Sequence, residues 1–203
     1  MAGAPAARTR HAPGMTRPRP ATILAGLALA LSACAGGAGS ASPAPATETL
    51  MASDFRLTST AFDQRGEIPR RFSCDGENIS PDLAWSGVPS GAGALVLVVD
   101  DPDAGGFAHW LVLDLTASDS GALPLGVSAS PDAPPQGTND FGSLGWAGPC
   151  PPSGEHRYVF TLHALAAPLG LTGAPRRGEV RAALGKATVL GTAVIEARYR
   201  RQR

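Results

Sequence analysis

Residues 101–110, DPDAGGFAHW, place two carboxylates and an imidazole within ten positions and contain no permanently cationic side chain. A second polar group follows in GEHRY, residues 154–158. If a strand runs on from His156, alternation puts His156 and Tyr158 on one face with Phe160 and Leu162 and leaves His163 on the other. The same parity sets His109 on a face with Leu111 and Leu113. Two imidazoles and a phenol lining a small pocket can donate hydrogen bonds to phosphate oxygens. Asp101 and Asp103 can accept from the second ring nitrogen of a histidine, fixing its tautomer, or from the ammonium of a ligand. Two other readings stay open. Both aspartates could be turn formers bonded to nearby backbone N–H groups, the usual role of Asp beside Pro and Gly. Asp101, Asp103, His109 and His156 could also hold a divalent metal that activates water in a hydrolase, although no His-x-x-x-His or paired-cysteine spacing accompanies them.

Such groups converge only if rigid elements hold them. Residues 95–99 and 111–113 are short apolar runs that read as buried strands, which puts the first group on the connection between them. With these two extended to 94–99 and 109–115, strands are expected also over 55–61, 83–85, 157–165 and 189–199, separated by Gly, Pro, Asp and Ser clusters such as GVPSGAG and WAGPCPPSG. One helix is expected over 178–187, where Val180, Ala183, Leu184 and Ala187 share a face. The pattern is that of a mainly β protein, a sandwich or barrel with a peripheral C-terminal helix. Enzyme motifs are poor. Phe141 stands where a G-x-S-x-G elbow around Ser143 needs glycine, and Gly91-Ala92-Gly93 precedes a strand where a dinucleotide loop follows one. No catalytic residue, metal ligand or cofactor is assigned.

The first 34 residues carry four arginines and no acid, and an apolar run over 21–31 follows the arginines. Eleven apolar residues are too few for a bilayer, which takes about 20, so the segment reads as an export signal, with Met15 an alternative start. Residues 31–34, LSAC, resemble the lipobox of bacterial lipoproteins, which makes Cys34 the expected lipidation site. Residues 35–52 read as a flexible Gly/Ala/Ser/Pro tether and 53–203 as one folded domain. Beyond residue 34 there are 13 basic against 17 acidic residues, a net charge near −4, which argues against a nucleic-acid partner. The protein is thus expected to be membrane-anchored through lipid on the extracytoplasmic side. With Cys34 acylated, Cys74 and Cys150 remain as an even pair in an oxidising compartment and are expected to form a disulfide, two buried free thiols being the alternative.

The motifs DPDA, HW, NDFG, the stretch GWAGPCPPSGEHRY and FTLHAL, in this order, resemble the two signature regions of the phosphatidylethanolamine-binding protein family in its bacterial Raf-kinase-inhibitor-like branch. SCDGENISPDLAWSGVP, residues 73–89, and AVIEARYRR near the end extend the likeness across most of residues 53–201. The resemblance implies an antiparallel β-sandwich with an anion pocket for phosphate or phospholipid head groups. By position, that pocket comprises Asp101, Asp103, His109, His156 and Tyr158, with Gly148, Pro149 and Pro152 at its rim. It also admits a protein partner outside the membrane, such as a protease. Three departures mark this chain: the short, glycine-rich Gly105-Gly106-Phe107-Ala108, Thr138 before NDFG, and Gly185-Lys186 in the helical region.

Overall fold

A computed structural model describes residues 54–201. The expected signal, the tether and Cys34 lie outside the described residues. Seven strands form two antiparallel sheets. The smaller has the order β1 (Arg56–Thr58), β2 (Leu83–Ser86), β5 (Ser120–Leu123), and the larger β4 (Phe107–Leu115), β3 (Ala94–Asp101), β6 (Glu155–Leu165), β7 (Val189–Arg200). Among the described residues one α-helix, α1 (Arg177–Leu184), overlaps the expected span of 178–187, starting one residue earlier and ending three residues earlier. The sandwich and its short helix are therefore as expected. β5 has no counterpart in the sequence reading, because SGAL carries too few large apolar residues to register as a strand.

The larger sheet is covered on both faces, which explains why β3 reads as an unbroken apolar run. Leu95, Leu97 and Val99 point between the sheets and pack with Trp85, Phe160, Leu162 and Ile195. Val96 points the other way, into a second cluster with Leu111, Leu113, Leu165 and Val180 of α1. Alternation continues to the end of the strand, so Asp100 and Asp101 emerge on opposite faces of the sheet.

β4 departs from simple alternation. Val99 pairs with Trp110 but Asp100 pairs with Ala108, so His109 is an extra residue with no partner on β3. This is a β-bulge, which re-aims the side chains around it. Trp110 and Val112 face the inter-sheet core, while Ala108, Leu111 and Leu113 face the helix side. His109 meets the rings of Tyr158 and Phe107 and thus lies on the inter-sheet side. The expected parity of His109 with Leu111 and Leu113 is therefore overturned: a bulge inserts one residue and reverses the phase. Asp101 and His109 also belong to the strands themselves, and only the segment from Pro102 to Gly106 forms the connection, with Pro102–Ala104 as one turn of 3-10 helix.

Candidate functional site

Asp101, His156 and Tyr158 occupy the ends of β3 and β6 on the inter-sheet face, and the bulge brings His109 beside them. Together they line a cavity of about 190 Å³. The Asp101 carboxylate is buried and fully engaged. Its Oδ1 accepts from the Ala104 N–H at 3.0 Å, and its Oδ2 lies 2.7 Å from His156 Nδ1. Asp101 is thus both the cap of the 3-10 turn and the group that orients His156. Since the carboxylate can only accept, His156 carries a proton on Nδ1 and turns Nε2 away from the carboxylate.

His109 is oriented the same way by a different partner. Its Nδ1 donates to the carbonyl of Ala147 at 2.6 Å, and the Ala147 N–H returns a bond to the His109 carbonyl at 3.0 Å. Its ring sits edge-on to Tyr158, at 5.1 Å between centroids, and to Phe141, at 5.5 Å. Burial among these rings lowers the His109 pKa, and the Ala147 carbonyl and the Asp101 charge offset only part of that. The Tyr158 hydroxyl is fully buried and makes no well-formed hydrogen bond with the described residues, although the Cys150 backbone lies near it. Burial, with the nearby Asp101 charge, raises its pKa, so it stays a neutral hydroxyl.

The rim comes from two loops and the start of β4. Pro152, Pro151 and Cys150 line one side, and Phe107 and Phe141 the other, with their rings packed edge to face at 4.7 Å. Asn139, almost wholly buried, shapes the loop that carries Phe141: its Nδ2 donates to the Gly145 carbonyl, and its Oδ1 accepts from the N–H groups of Phe141 and Ser143. Arg177 of α1 ties the two aromatic segments together, pairing with Asp140 at 2.9 Å and donating to the Gly106 carbonyl at 2.6 Å.

Of the residues singled out in the sequence, Asp101, His109, Pro152, His156 and Tyr158 converge on the cavity. Asp103 does not line it. It accepts from the Arg157 backbone N–H and forms a two-toothed pair with the Arg157 guanidinium at 2.8 and 3.1 Å, which holds its pKa down at about 2. That pair pins the 3-10 turn to β6. Gly148 and Pro149 stand behind the lining: the Gly148 N–H donates to Asn78 Oδ1 at 2.8 Å, and the Pro149 carbonyl accepts from the Cys74 N–H at 3.1 Å. Cys74 and Cys150 are joined as a disulfide with Cα atoms 5.5 Å apart. Sequence reasoning missed Ala104, Phe107, Phe141, Cys150 and Pro151 as lining residues, Cys150 having been singled out only for the disulfide. A signal existed for Phe107, which is two residues from His109, but Phe141 reaches the site only through the fold.

Comparison with known proteins accords with this geometry. The family model described as phosphatidylethanolamine-binding protein matches residues 58–200. The chain is 45% identical over 149 residues to a UPF0098 protein of Methanothermobacter thermautotrophicus, covering 71% of this chain and 98% of that one. It is 39% identical over 154 residues to LppC, a candidate lipoprotein of Mycobacterium tuberculosis, covering 70% and 73% of the two chains. Among solved structures, a candidate phosphatidylethanolamine-binding protein homologue of Chlamydia trachomatis, CT736, superposes with a TM-score of 0.67 at 34% identity, covering 74% of this chain and 99% of that one. YbcL of Escherichia coli, a member of the mammalian family of the same name, does so with 0.66 at 30%, covering 73% and 99%. With its sandwich, its motifs in order and a family match across nearly all the described residues, the chain belongs to the phosphatidylethanolamine-binding protein family.

Proposed function

We propose that the protein binds a small phosphorylated or otherwise anionic head group in the cavity lined by Asp101, His109, His156 and Tyr158, as an exported binding protein held to the membrane by lipid on Cys34. The observation that carries the binding reading is that both imidazoles are held through Nδ1 at the wall of the cavity, beside a buried hydroxyl that makes no well-formed hydrogen bond with the described residues. A cavity of about 190 Å³ suits a head group rather than a whole lipid, being below the ~300–1,000 Å³ of drug-sized sites. Phe107 and Phe141 at its mouth offer apolar contact to whatever chain the head group carries.

The cavity has no permanent cation, so an anion draws its positive charge from the histidines. Burial keeps His109 neutral at and above the ordinary histidine pKa of 6.5, and an anion binds the charged ring. Affinity is therefore expected to rise as pH falls through and below that value. Calorimetry with sulfate and glycerophosphoethanolamine, whose anionic groups do not titrate in this range, checks it. His156→Ala should weaken sulfate binding by at least about tenfold, the loss of one hydrogen bond to a charged group. A flat pH profile, or equal affinity in a folded His156→Ala protein, would overturn the anion reading.

The anchor rests on the signal-like first 34 residues and on the lipobox-like LSAC, and the likeness to LppC supports it. No helix among the described residues is long and apolar enough to cross a membrane. In a bacterial host fed labelled palmitate, the wild-type chain should take up label and Cys34→Ala should not. Label retained by the variant would place the acyl group elsewhere, and no label on the wild type would overturn the anchor.

A further inference from the structure

On the outer face of the larger sheet, opposite the cavity described above, a groove of about 320 Å³ runs between β3, β6 and α1. Alternation turns Val98 and Asp100 of β3 and Thr161 and His163 of β6 into it, and α1 contributes Arg177, Arg181 and Leu184. Three of these side chains, Thr161, His163 and Arg181, make no hydrogen bond or ion pair with the described residues, and Asp100 is bonded to its own backbone N–H. Arg177, by contrast, is occupied by Asp140 and the Gly106 carbonyl. The charges are close without being paired. Arg177 Nη1, Arg181 Nη1 and Asp100 Oδ2 lie 3.5, 3.7 and 3.9 Å from the point where a side chain on Gly106 would begin, yet Arg181 and Asp100 form no ion pair with each other.

We infer that this groove is a second binding site, for a small zwitterion that carries an ammonium and a carboxylate or similar anionic group on a short carbon chain. Asp100 receives the ammonium and Arg181 the anionic group. Thr161 and His163 supply the remaining hydrogen bonds, and Val98 and Leu184 take the carbon chain. A lone ammonium would answer the half-buried Asp100 but stand beside the like charge of Arg181, whereas a zwitterion satisfies both. Burial raises the Asp100 pKa, an effect that Arg181 and Arg177 reduce and neighbouring Asp101 reinforces. An ammonium in the groove would hold that carboxylate ionised. Burial likewise lowers the His163 pKa, leaving a neutral ring able to accept from the ammonium.

The site is independent of the head-group cavity, and the test keeps the two apart. Amide NMR of the full chain is titrated with β-alanine, acetate and ethylammonium in turn. β-Alanine should produce saturable shifts at residues 98–101, 161–163 and 177–184, and each singly charged compound should bind at least about tenfold more weakly, one charge-assisted contact being lost. Arg181→Gln, an exposed position, should reduce β-alanine to the affinity of ethylammonium while leaving sulfate binding at His109 and His156 unchanged. Asp100→Asn should reduce β-alanine to the affinity of acetate. Absence of saturable shifts, equal binding of β-alanine and acetate to the wild-type chain, or shifts confined to the His109 and His156 cavity would each overturn the second site.

Discussion

Replacing Asp101 with alanine is expected to destabilise the folded domain by roughly 3 kcal/mol, the cost of leaving a buried, doubly bonded polar group's partners unsatisfied. The carboxylate is 2% exposed, and its loss strands the Ala104 N–H and the His156 Nδ1–H together. His156 then loses its orientation, and sulfate binding should fall below detection by calorimetry. Asp101→Asn separates structure from charge. Its carbonyl oxygen can keep the Ala104 bond while its amide faces His156, which must then accept at Nδ1 and carry its proton on Nε2. A neutral donor facing the cavity, with the nearby negative charge removed, should bind sulfate at least as tightly as the wild type and with a weaker dependence on pH. Ligands bearing an amine should lose affinity instead. Urea denaturation and calorimetry of both variants decide the matter, and an Asp101→Ala protein as stable as the wild type would show that the carboxylate does not organise this site.

The second large effect concerns the disulfide. Cys74 and Cys150 are 76 residues apart in sequence, and closing a loop of that length restricts the unfolded chain by about 4 kcal/mol on the chain-entropy account. For a domain of this size the Cys74→Ser, Cys150→Ser double variant should melt roughly 10 °C below the oxidised wild type. The effect lies mainly in the unfolded state, because the two segments are also joined in the folded one. The Cys74 N–H donates to the Pro149 carbonyl at 3.1 Å, the Gly148 N–H to Asn78 Oδ1 at 2.8 Å, and Trp146 Nε1 to the Phe72 carbonyl at 3.3 Å. The double variant should therefore lose much stability and little sulfate affinity, although Cys150 lines the cavity. Thermal melts with and without reductant test this. Identical melting temperatures for the oxidised wild type and the double variant would show that the bond contributes nothing, and loss of affinity matching the loss of stability would show that it builds the rim.

Much of this molecule is legible along the chain because strands and helices announce themselves by local period. The apolar run of β3, the alternation of β6 and the single apolar face of α1 are each set by neighbours a few residues apart, and ordered motifs marked the family. That His156 and Tyr158 share a face with Phe160 follows from two-residue alternation with no knowledge of the partner strand. Other features exist only between segments. The bulge at His109 is a mismatch between two paired strands, so nothing in FAHWLVL by itself reveals that the phase reverses there. Asp101 and Asp103 are the same residue type two positions apart, yet one is buried against His156 and the other is drawn outward by Arg157; the division is made by β6, more than fifty residues downstream. The outer groove is likewise a product of packing, since Asp100 and Arg181 meet only when α1 settles on the sheet. Local backbone preference chose the elements and their faces, and burial with long-range pairing decided which charged groups meet, because the free energy of a charge depends on the solvent and partners left to it after folding.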